Sequence, residues 1–166
     1  MGSGTVLALV LVNRAGFEKR LTLALPSVAV MTIALQYSQV TVNDVDESLA
    51  FYRDALGLDV HNDVTSGAYR WVTLGSPTQP DVEIVLSEPH AGRSPADGDA
   101  MQELLVKGSL PIIVFRTDDV DAMFEKVRAS GAEVLQEPTD QAWGPRDCAF
   151  RDPSGNMVRF VQAAPR

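Results

Sequence analysis

Cysteine and histidine are scarce in this sequence, and their scarcity narrows the chemistry that the chain can carry. Cys148 is the single cysteine among 166 residues, which excludes an intramolecular disulfide and a zinc site built from several thiolates. A chain without disulfides suits a reducing compartment, so we expect a cytoplasmic location. The two histidines, His61 and His90, lack the i, i+4 spacing of a helical metal site. We expect each to be a surface or hydrogen-bonding residue.

Positively charged residues are also few. The chain has 14 Lys and Arg against 22 Asp and Glu, which gives a net charge of −8. Nucleic acids and anionic membrane surfaces attract proteins through a positive field, which this composition does not provide. The sequence has no basic stripe interleaved with aromatic residues. We therefore expect neither a nucleic-acid partner nor a membrane partner.

Long apolar runs are missing, although 45% of the residues are hydrophobic and can fill a sizeable core. Two apolar runs near the start, 6–12 and 21–30, are much shorter than the ~20 residues that span a bilayer. Lys19 and Arg20 before the second run imitate a signal peptide only weakly, because they come too late in the chain. We expect residues 1–32 to be an extension that is poorly ordered or precedes a true start at Met31, followed by a single domain over residues 33–164.

The hydrophobic pattern after this extension predicts a strand, a helix and three strands. β-Branched residues alternate along a first strand over residues 36–43. Asp44 then offers an N-cap to a helix, and Gly57 supplies the residue that ends it. The three following strands are predicted over residues 58–64, 68–75 and 82–87.

The second half of the chain repeats this order. A loop over residues 88–99 and a short helix over residues 100–106 lead into a strand at 110–117. Asp119 offers an N-cap to a helix that Gly131 ends. Three strands then follow, over residues 132–135, 146–151 and 157–162, with a hairpin turn at 152–156. Cys148 lies in the middle of one of them, without a histidine nearby in the sequence, and is predicted to pack in the core rather than act as a nucleophile.

The two halves also match residue by residue. Asn43-Asp44-Val45-Asp46 parallels Asp118-Asp119-Val120-Asp121 at an offset of about 75 residues. Repetition at a fixed offset indicates repeated structure, although two unrelated strand–helix pairs with similar caps would give the same local match. We predict an α+β fold of two βαβββ modules, at about 33–88 and 109–163, related by a pseudo-twofold axis.

Two segments carry a resemblance to a known family. They are VNDVDESLAFYRDALGL at residues 42–58, and WGPR at 143–146 followed by FRDPSGN at 150–156. Both resemble the vicinal oxygen chelate superfamily, which includes glyoxalase I, extradiol dioxygenases, fosfomycin-resistance enzymes and bleomycin-resistance proteins. The resemblance covers about residues 33–162 and implies that the two curved mixed sheets form a cup. The motifs serve caps, turns and core packing, so they indicate the fold more than the function.

The resemblance also implies where a metal would bind, because metal-using members place one ligand on each of four strands. Those positions fall here at Tyr37, Val85, Ile112 and Arg159. Valine and isoleucine have no donor atom, arginine stays protonated, and a phenol with a pKa of ~10 is a poor ligand. Glu83, two residues before Val85 on the same face, is the one plausible ligand left. A catalytic divalent site normally has three protein ligands, so we predict no metal and no cofactor.

A cup without a metal becomes a pocket for a small molecule. Its predicted lining consists of Tyr37, Gln39, Trp71, Glu83, Ile112, Val114, Trp143, Arg146 and Arg159. Each has a structural alternative: the aromatic residues can fill the core or fix a loop, and the arginines can form surface ion pairs. In the cup, Arg159 would suit a carboxylate, phosphate or enolate.

The leading functional hypothesis is a metal-free protein that binds or sequesters a small aromatic or anionic compound, as the bleomycin-resistance branch does. One alternative is an enzyme similar to glyoxalase I or the dioxygenases, metal-dependent if the strand registers differ from those assigned. Another is a metal-independent lyase or isomerase that uses Glu83 and Tyr37. A regulatory or structural protein with a filled cup is a further alternative. The cup can form within one chain or across a homodimer.

Overall fold

The structure, a computed structural model, describes residues 7–12, 18–23 and 33–162. The chain divides into two compact units, Met1–Ala34 and Leu35–Arg166. In the first unit, β1 (Leu7–Val12) pairs antiparallel with β2 (Glu18–Leu23), a hairpin that the sequence did not predict. The prediction of a poorly ordered extension or a misplaced start concerns residues that lie largely outside the described ranges. Among the described residues, no helix is long and apolar enough to cross a membrane.

The first module of the second unit is a four-stranded sheet with one helix. Its strands lie in the order β3-β6-β5-β4, with β3 parallel to β6 and the other neighbours antiparallel. The elements are β3 (Tyr37–Thr41), α1 (Val45–Leu49), a π-helical continuation of α1 (Ala50–Ala55), β4 (Asp59–Ser66), β5 (Tyr69–Ser76) and β6 (Gln79–Ser87).

The second module has the same plan. Its sheet order is β7-β10-β9-β8, and β7 is parallel to β10. The elements are a connecting helix α2 (Pro95–Val106), then β7 (Ile113–Thr117), α3 (Val120–Ala129), β8 (Glu133–Asp140), β9 (Arg146–Arg151) and β10 (Met157–Gln162). The equal order and sense of the two sheets confirm the predicted α+β fold of two βαβββ modules.

The repeated sequence motif works as a pair of helix caps. The Asp44 side chain accepts a hydrogen bond from the Glu47 amide at 2.9 Å, and Asp119 accepts one from the Ala122 amide at 2.9 Å. These carboxylates satisfy amides that have no partner within the first turn of a helix. The repeat in the sequence therefore encodes two equivalent strand-to-helix connections.

Two predicted boundaries differ from the structure. Helix α2 begins at Pro95 rather than at residue 100, because the Ser94 hydroxyl accepts from the Asp97 amide at 3.2 Å and proline suits the first helical position. Strand β8 continues to Asp140 rather than ending at residue 135. Its pairing with β9 shifts register twice. These shifts interrupt the alternation of apolar and polar residues from which the length of the strand would be predicted.

One hydrophobic core serves both modules. Each sheet turns one face towards the helices, and the buried residues of both faces belong to a single cluster together with α1 and α3. The members with the least exposure are Val42, Tyr52, Val72, Leu74 and Leu86 from the first module and Val120, Val127, Cys148, Phe150 and Val158 from the second. The modules are therefore halves of one folding unit.

A buried carboxylate joins the modules where the first helix meets the β9–β10 turn. The Tyr52 hydroxyl donates to Asp152 Oδ2 at 2.8 Å, and Oδ1 accepts from the amides of Ser154 and Asn156 at 3.0 and 2.8 Å. The Asn156 side chain donates to the Thr41 carbonyl at 2.9 Å. Burial, followed by the charge and hydrogen bond of Asp152, raises the pKa of Tyr52, so the phenol stays a donor.

Removal of the Tyr52 hydroxyl should weaken this connection measurably. We expect Tyr52→Phe to lower the free energy of unfolding by about 1.5 kcal/mol, because a buried carboxylate loses a charge-assisted hydrogen bond. Urea denaturation followed by circular dichroism measures the change. Tyr69→Phe is the control, since the half-buried Tyr69 side chain has no hydrogen-bond partner among the described residues. An equal loss in both variants would contradict the role assigned to Tyr52.

Candidate functional site

The first sheet has an open face, defined here as the side opposite the shared core. Strand pairing places Tyr37 beside Glu83, and Trp71 beside Ser87. Gln39 follows Tyr37 by two residues and shares its side of the sheet. The structure therefore brings four predicted lining residues onto one face, with Tyr37 54% exposed.

The second sheet has an equivalent open face. Val114 pairs with Arg159, which in turn pairs with Ala149 on the next strand. Ile112 precedes Val114 by two residues and continues the same side. Ile112 and Val114 are 52% and 58% exposed. Three more of the predicted residues thus share one surface.

Two of the predicted residues do not join either open face. Arg146 lies on the helix side of its sheet, where its guanidinium contacts Asp121 of α3 at 2.8 Å and Asp140 at 3.3 Å. Its hydrogen bonds lower the pKa of Asp121. Trp143 lies in the loop between β8 and β9 and is 72% exposed. Arg146 adopts the alternative role of an ion-pair partner, and Trp143 is a loop residue.

A cavity of about 490 Å³ is lined by residues of β3 and β6 from the first module and of β7 from the second. Four of the predicted residues line it, namely Gln39, Glu83, Ile112 and Val114. Its remaining walls are largely apolar and include Val40, Leu74, Ile84, Met101, Ile113 and Phe115. Tyr37, Trp71 and Arg159 lie on the open faces but outside this lining.

Arg93 also lines the cavity, and sequence reasoning missed it. One of its guanidinium nitrogens donates to the carbonyls of Pro89 and Ala91 at 2.9 and 3.4 Å. Within the described part of the chain it forms no ion pair with a carboxylate. Its position in the loop before α2 gave no periodic signal. It is a positive group in the cavity wall, and no described carboxylate lies within ion-pair distance of it.

Arg159 is held in a polar network that the sequence did not reveal. Asp147 is 2% exposed and accepts hydrogen bonds from Arg159 at 2.5 Å, Gln136 at 2.6 Å and Gln141 at 2.7 Å. Burial alone would raise the pKa of Asp147, but the hydrogen bonds from Gln141, Arg159 and Gln136 outweigh it, so that pKa lies below its usual range. Asp147 stays ionised and balances the charge of Arg159.

Glu83 has a partner in His61, at the end of the first open face. Imidazole Nδ1 lies 2.6 Å from Glu83 Oε1. His61 occupies a β-bulge in β4, where pairing with β5 skips from Val60 to Asn62. The prediction that His61 is a hydrogen-bonding residue is confirmed, but the sequence could not identify its partner. A bulge has no simple sequence signal, and the two residues lie on different strands.

The residues at the four family metal positions do not fit a divalent cation. Val85 is 8% exposed and pairs with Gln39, and Arg159 is bound to Asp147. Within residues 33–162, no group of three or more His, Cys, Asp and Glu side chains lies close enough to hold a metal ion. The chemistry of this donor set therefore gives no route through a metal.

Cys148 is fully buried in the second sheet. Burial, followed by the charge of Asp147, raises its pKa to about 11. The thiol is consequently protonated near neutral pH and poorly nucleophilic. Its place is in the shared core, as predicted.

The fold and the sequence motifs together identify the family. A profile of the Glyoxalase/Bleomycin resistance protein/Dioxygenase superfamily matches residues 33–160. The chain belongs to this superfamily, which confirms the resemblance that the two motifs indicated.

Several relatives have the same overall fold or a similar sequence. The crystal structure of UcmS2 has a TM-score of 0.72 and 30% identity, covering 80% of this chain and 100% of UcmS2. TnmS3, an antibiotic binding protein from Streptomyces sp. CB03234, has a TM-score of 0.63 and 28% identity, covering 81% of this chain and 99% of TnmS3. The uncharacterized protein YurT of Bacillus subtilis (strain 168) is 30% identical over 125 residues, 75% of this chain and 95% of YurT.

Because Arg159 neutralises the buried Asp147 carboxylate, its replacement should lower the stability of the folded protein. We expect Arg159→Met to lower the free energy of unfolding by about 2 kcal/mol, because a buried carboxylate loses its cation. Arg116→Met is the control, since Arg116 is exposed on the same face and has no ion-pair partner among the described residues; its change should stay within about 0.5 kcal/mol. Urea denaturation of both variants makes the comparison. Equal effects would show that Asp147 does not depend on Arg159.

Proposed function

We propose that this protein binds a small aromatic compound, neutral or anionic, without the help of a metal ion. The cavity of about 490 Å³ between β3 and β7 carries the proposal. Its volume falls in the range of small-molecule sites, and such sites combine apolar walls with a few polar groups. Apolar side chains from both modules supply the walls, while Gln39, Glu83 and Arg93 supply the polar groups.

The electrostatics of the cavity distinguish two modes of recognition. An aromatic ring would lie against the apolar side chains, where burial of its surface favours binding. An anionic substituent would meet Arg93, whose guanidinium can donate to an oxyanion in addition to its backbone contacts. Arg159, which the sequence favoured for this purpose, is already balanced by Asp147. Arg93 is therefore the better candidate for an anion.

Similarity to TnmS3 supports binding rather than catalysis. That protein is named as an antibiotic binding protein, and its identity to this chain is 28% over nearly its whole length. We extend only the general function to this chain, namely the binding of a small organic molecule.

A larger side chain that fills the cavity should greatly weaken ligand binding without unfolding the protein. Met101 lines the cavity from α2, so Met101→Trp should occupy the space that a ligand needs. We expect planar aromatic acids such as 1-naphthoic acid to stabilise the native protein by about 2.7 kcal/mol at about 100 times Kd, and to stabilise Met101→Trp far less. Thermal shift measures both.

Leu104→Trp is the matched control for this experiment. Leu104 lies on the same helix, is 43% exposed and does not line the cavity. Ligand stabilisation should therefore persist in Leu104→Trp. Undiminished stabilisation of Met101→Trp would place the binding site elsewhere, and no response of the native protein to any planar aromatic probe would contradict the proposed function.

We also propose that two copies of the chain cover each other's open faces. Apolar side chains on these faces remain exposed in one chain, including Tyr37, Val64, Ile112 and Val114 at 54%, 45%, 52% and 58%. The faces carry opposite charges, since Asp59 lies on the first and Arg116 on the second. A homodimer would shield both surfaces from bulk solvent and leave the ligand site enclosed between the two chains.

The mass in solution tests this assembly. We expect light scattering after gel filtration to give twice the chain mass of 17.9 kDa. Ile112→Asp should shift the protein towards the monomer, because it places a charge in the interface. Val106→Asp is the control, since Val106 is 71% exposed on α2 rather than on either sheet. A native monomer at micromolar concentration would contradict the assembly.

A further inference from the structure

Three neighbouring strands combine to hold His61 on the first open face. A β-bulge in β4 turns the imidazole over the sheet, and β6 supplies the carboxylate that binds it, Glu83. Between them, β5 carries Gly75, which pairs with Glu83. A Cβ atom at Gly75 would overlap the imidazole ring, so the glycine leaves the space that the ring occupies.

The contact with Glu83 favours one of the two tautomers of the neutral imidazole. An ionised carboxylate can only accept, so Nδ1 must be the donor at 2.6 Å. In the neutral ring, Nε2 then presents a lone pair and can accept a proton. No described residue forms a hydrogen bond with Nε2. The side chain is 37% exposed, which leaves it within reach of a ligand.

The position of the pair relates it to the cavity. Glu83 lines the cavity, while Tyr37 pairs with Glu83 along the same face. Asp59 pairs with Gly75 on the neighbouring strand, so a second acidic group lies at this end of the face. A ligand that extends from the cavity past Glu83 would meet the imidazole.

We propose that His61, oriented by Glu83, is the proton acceptor of the binding site and selects ligands that carry an acidic O–H group, a phenol or an enol. The inference rests on the proposed function, because it names the chemical class that the same site binds. The ligand O–H bond breaks and an Nε2–H bond forms, which gives an oxyanion beside an imidazolium. Glu83 balances the imidazolium charge, so the step needs no oxidant, reductant or metal.

Glu83 acts here as a positioning residue, comparable to a carboxylate that orients a catalytic histidine. His90 provides a built-in comparison, since its Nε2 lies 3.0 Å from Asp99 Oδ1 and its ring also overlies a glycine, Gly98. That pair lies outside both sheets. Removal of His90 should therefore leave ligand selection unchanged.

The protonation state of the imidazole can be measured directly. A nitrogen-15 NMR spectrum of the full chain should contain imidazole signals from two histidines. In the His90→Gln variant, the imidazole signals that remain belong to His61. At a pH where the ring is neutral, we expect His61 to carry its proton on Nδ1. In the Glu83→Ala variant, we expect the His61 imidazole to populate both tautomers. A native His61 protonated on Nε2 would overturn the proposal.

A matched pair of probes tests ligand selection. 4-Nitrophenol and 4-nitroanisole are both planar aromatics, but only the phenol can donate a proton. We expect the native protein to bind the phenol about tenfold more tightly, as one strong additional hydrogen bond allows. At a pH low enough that free 4-nitrophenol is protonated, bound phenol should also show the visible absorbance of nitrophenolate, which reports the proton transfer.

The variants separate the roles of the groups. His61→Phe keeps a planar ring over Gly75 but removes both nitrogens, and Gly75→Ala displaces the imidazole without altering its chemistry. Both should reduce the preference for the phenol to near unity, whereas His90→Gln should retain it. Equal binding of the two probes by the native protein would overturn the role of His61 and leave aromatic binding intact. No binding of either probe would overturn both proposals.

Discussion

The buried carboxylate of Asp152 makes the two modules depend on each other. It accepts the Tyr52 hydroxyl from one module and two amides from its own turn, while Asn156 binds the backbone of β3. A charge of this kind is costly to bury unless several donors surround it. The required donors fix the β9–β10 turn against the first helix and, through Asn156, against β3. Asn156 and Thr41 both line the cavity, so this network holds part of the cavity wall in place.

The parts of the fold that could be predicted are those encoded locally. Asp44 and Asp119 predict the starts of two helices, because aspartate is a preferred N-cap. The turn-forming residues between β9 and β10 predict a hairpin. Because the N-cap motif occurs twice, the sequence also predicted that the module is duplicated. Boundaries were less accurate where a second local signal was overlooked, as with Ser94 and Pro95, or where register shifts broke the alternation, as in β8.

The site was predictable in outline but not in its pairings. Alternation along each strand placed Tyr37, Glu83 and Arg159 on open faces, since a strand has a period of two. It could not show that Arg159 is balanced by Asp147, because that contact depends on how β9 and β10 align. Arg93 lies in a loop before α2 and had no pattern to reveal it. Pairing between distant segments is a property of the assembled sheet.

Gly75 connects sequence to chemistry in a way that can be recognised in other members of this superfamily. The imidazole of His61 can cross the sheet only where the intervening strand has no side chain. A relative with a histidine in the first bulge and an acid two strands away, but with a larger residue between them, could not form the same contact. The residue at this single position in the middle strand thus decides whether such a protein can place an imidazole beside the carboxylate.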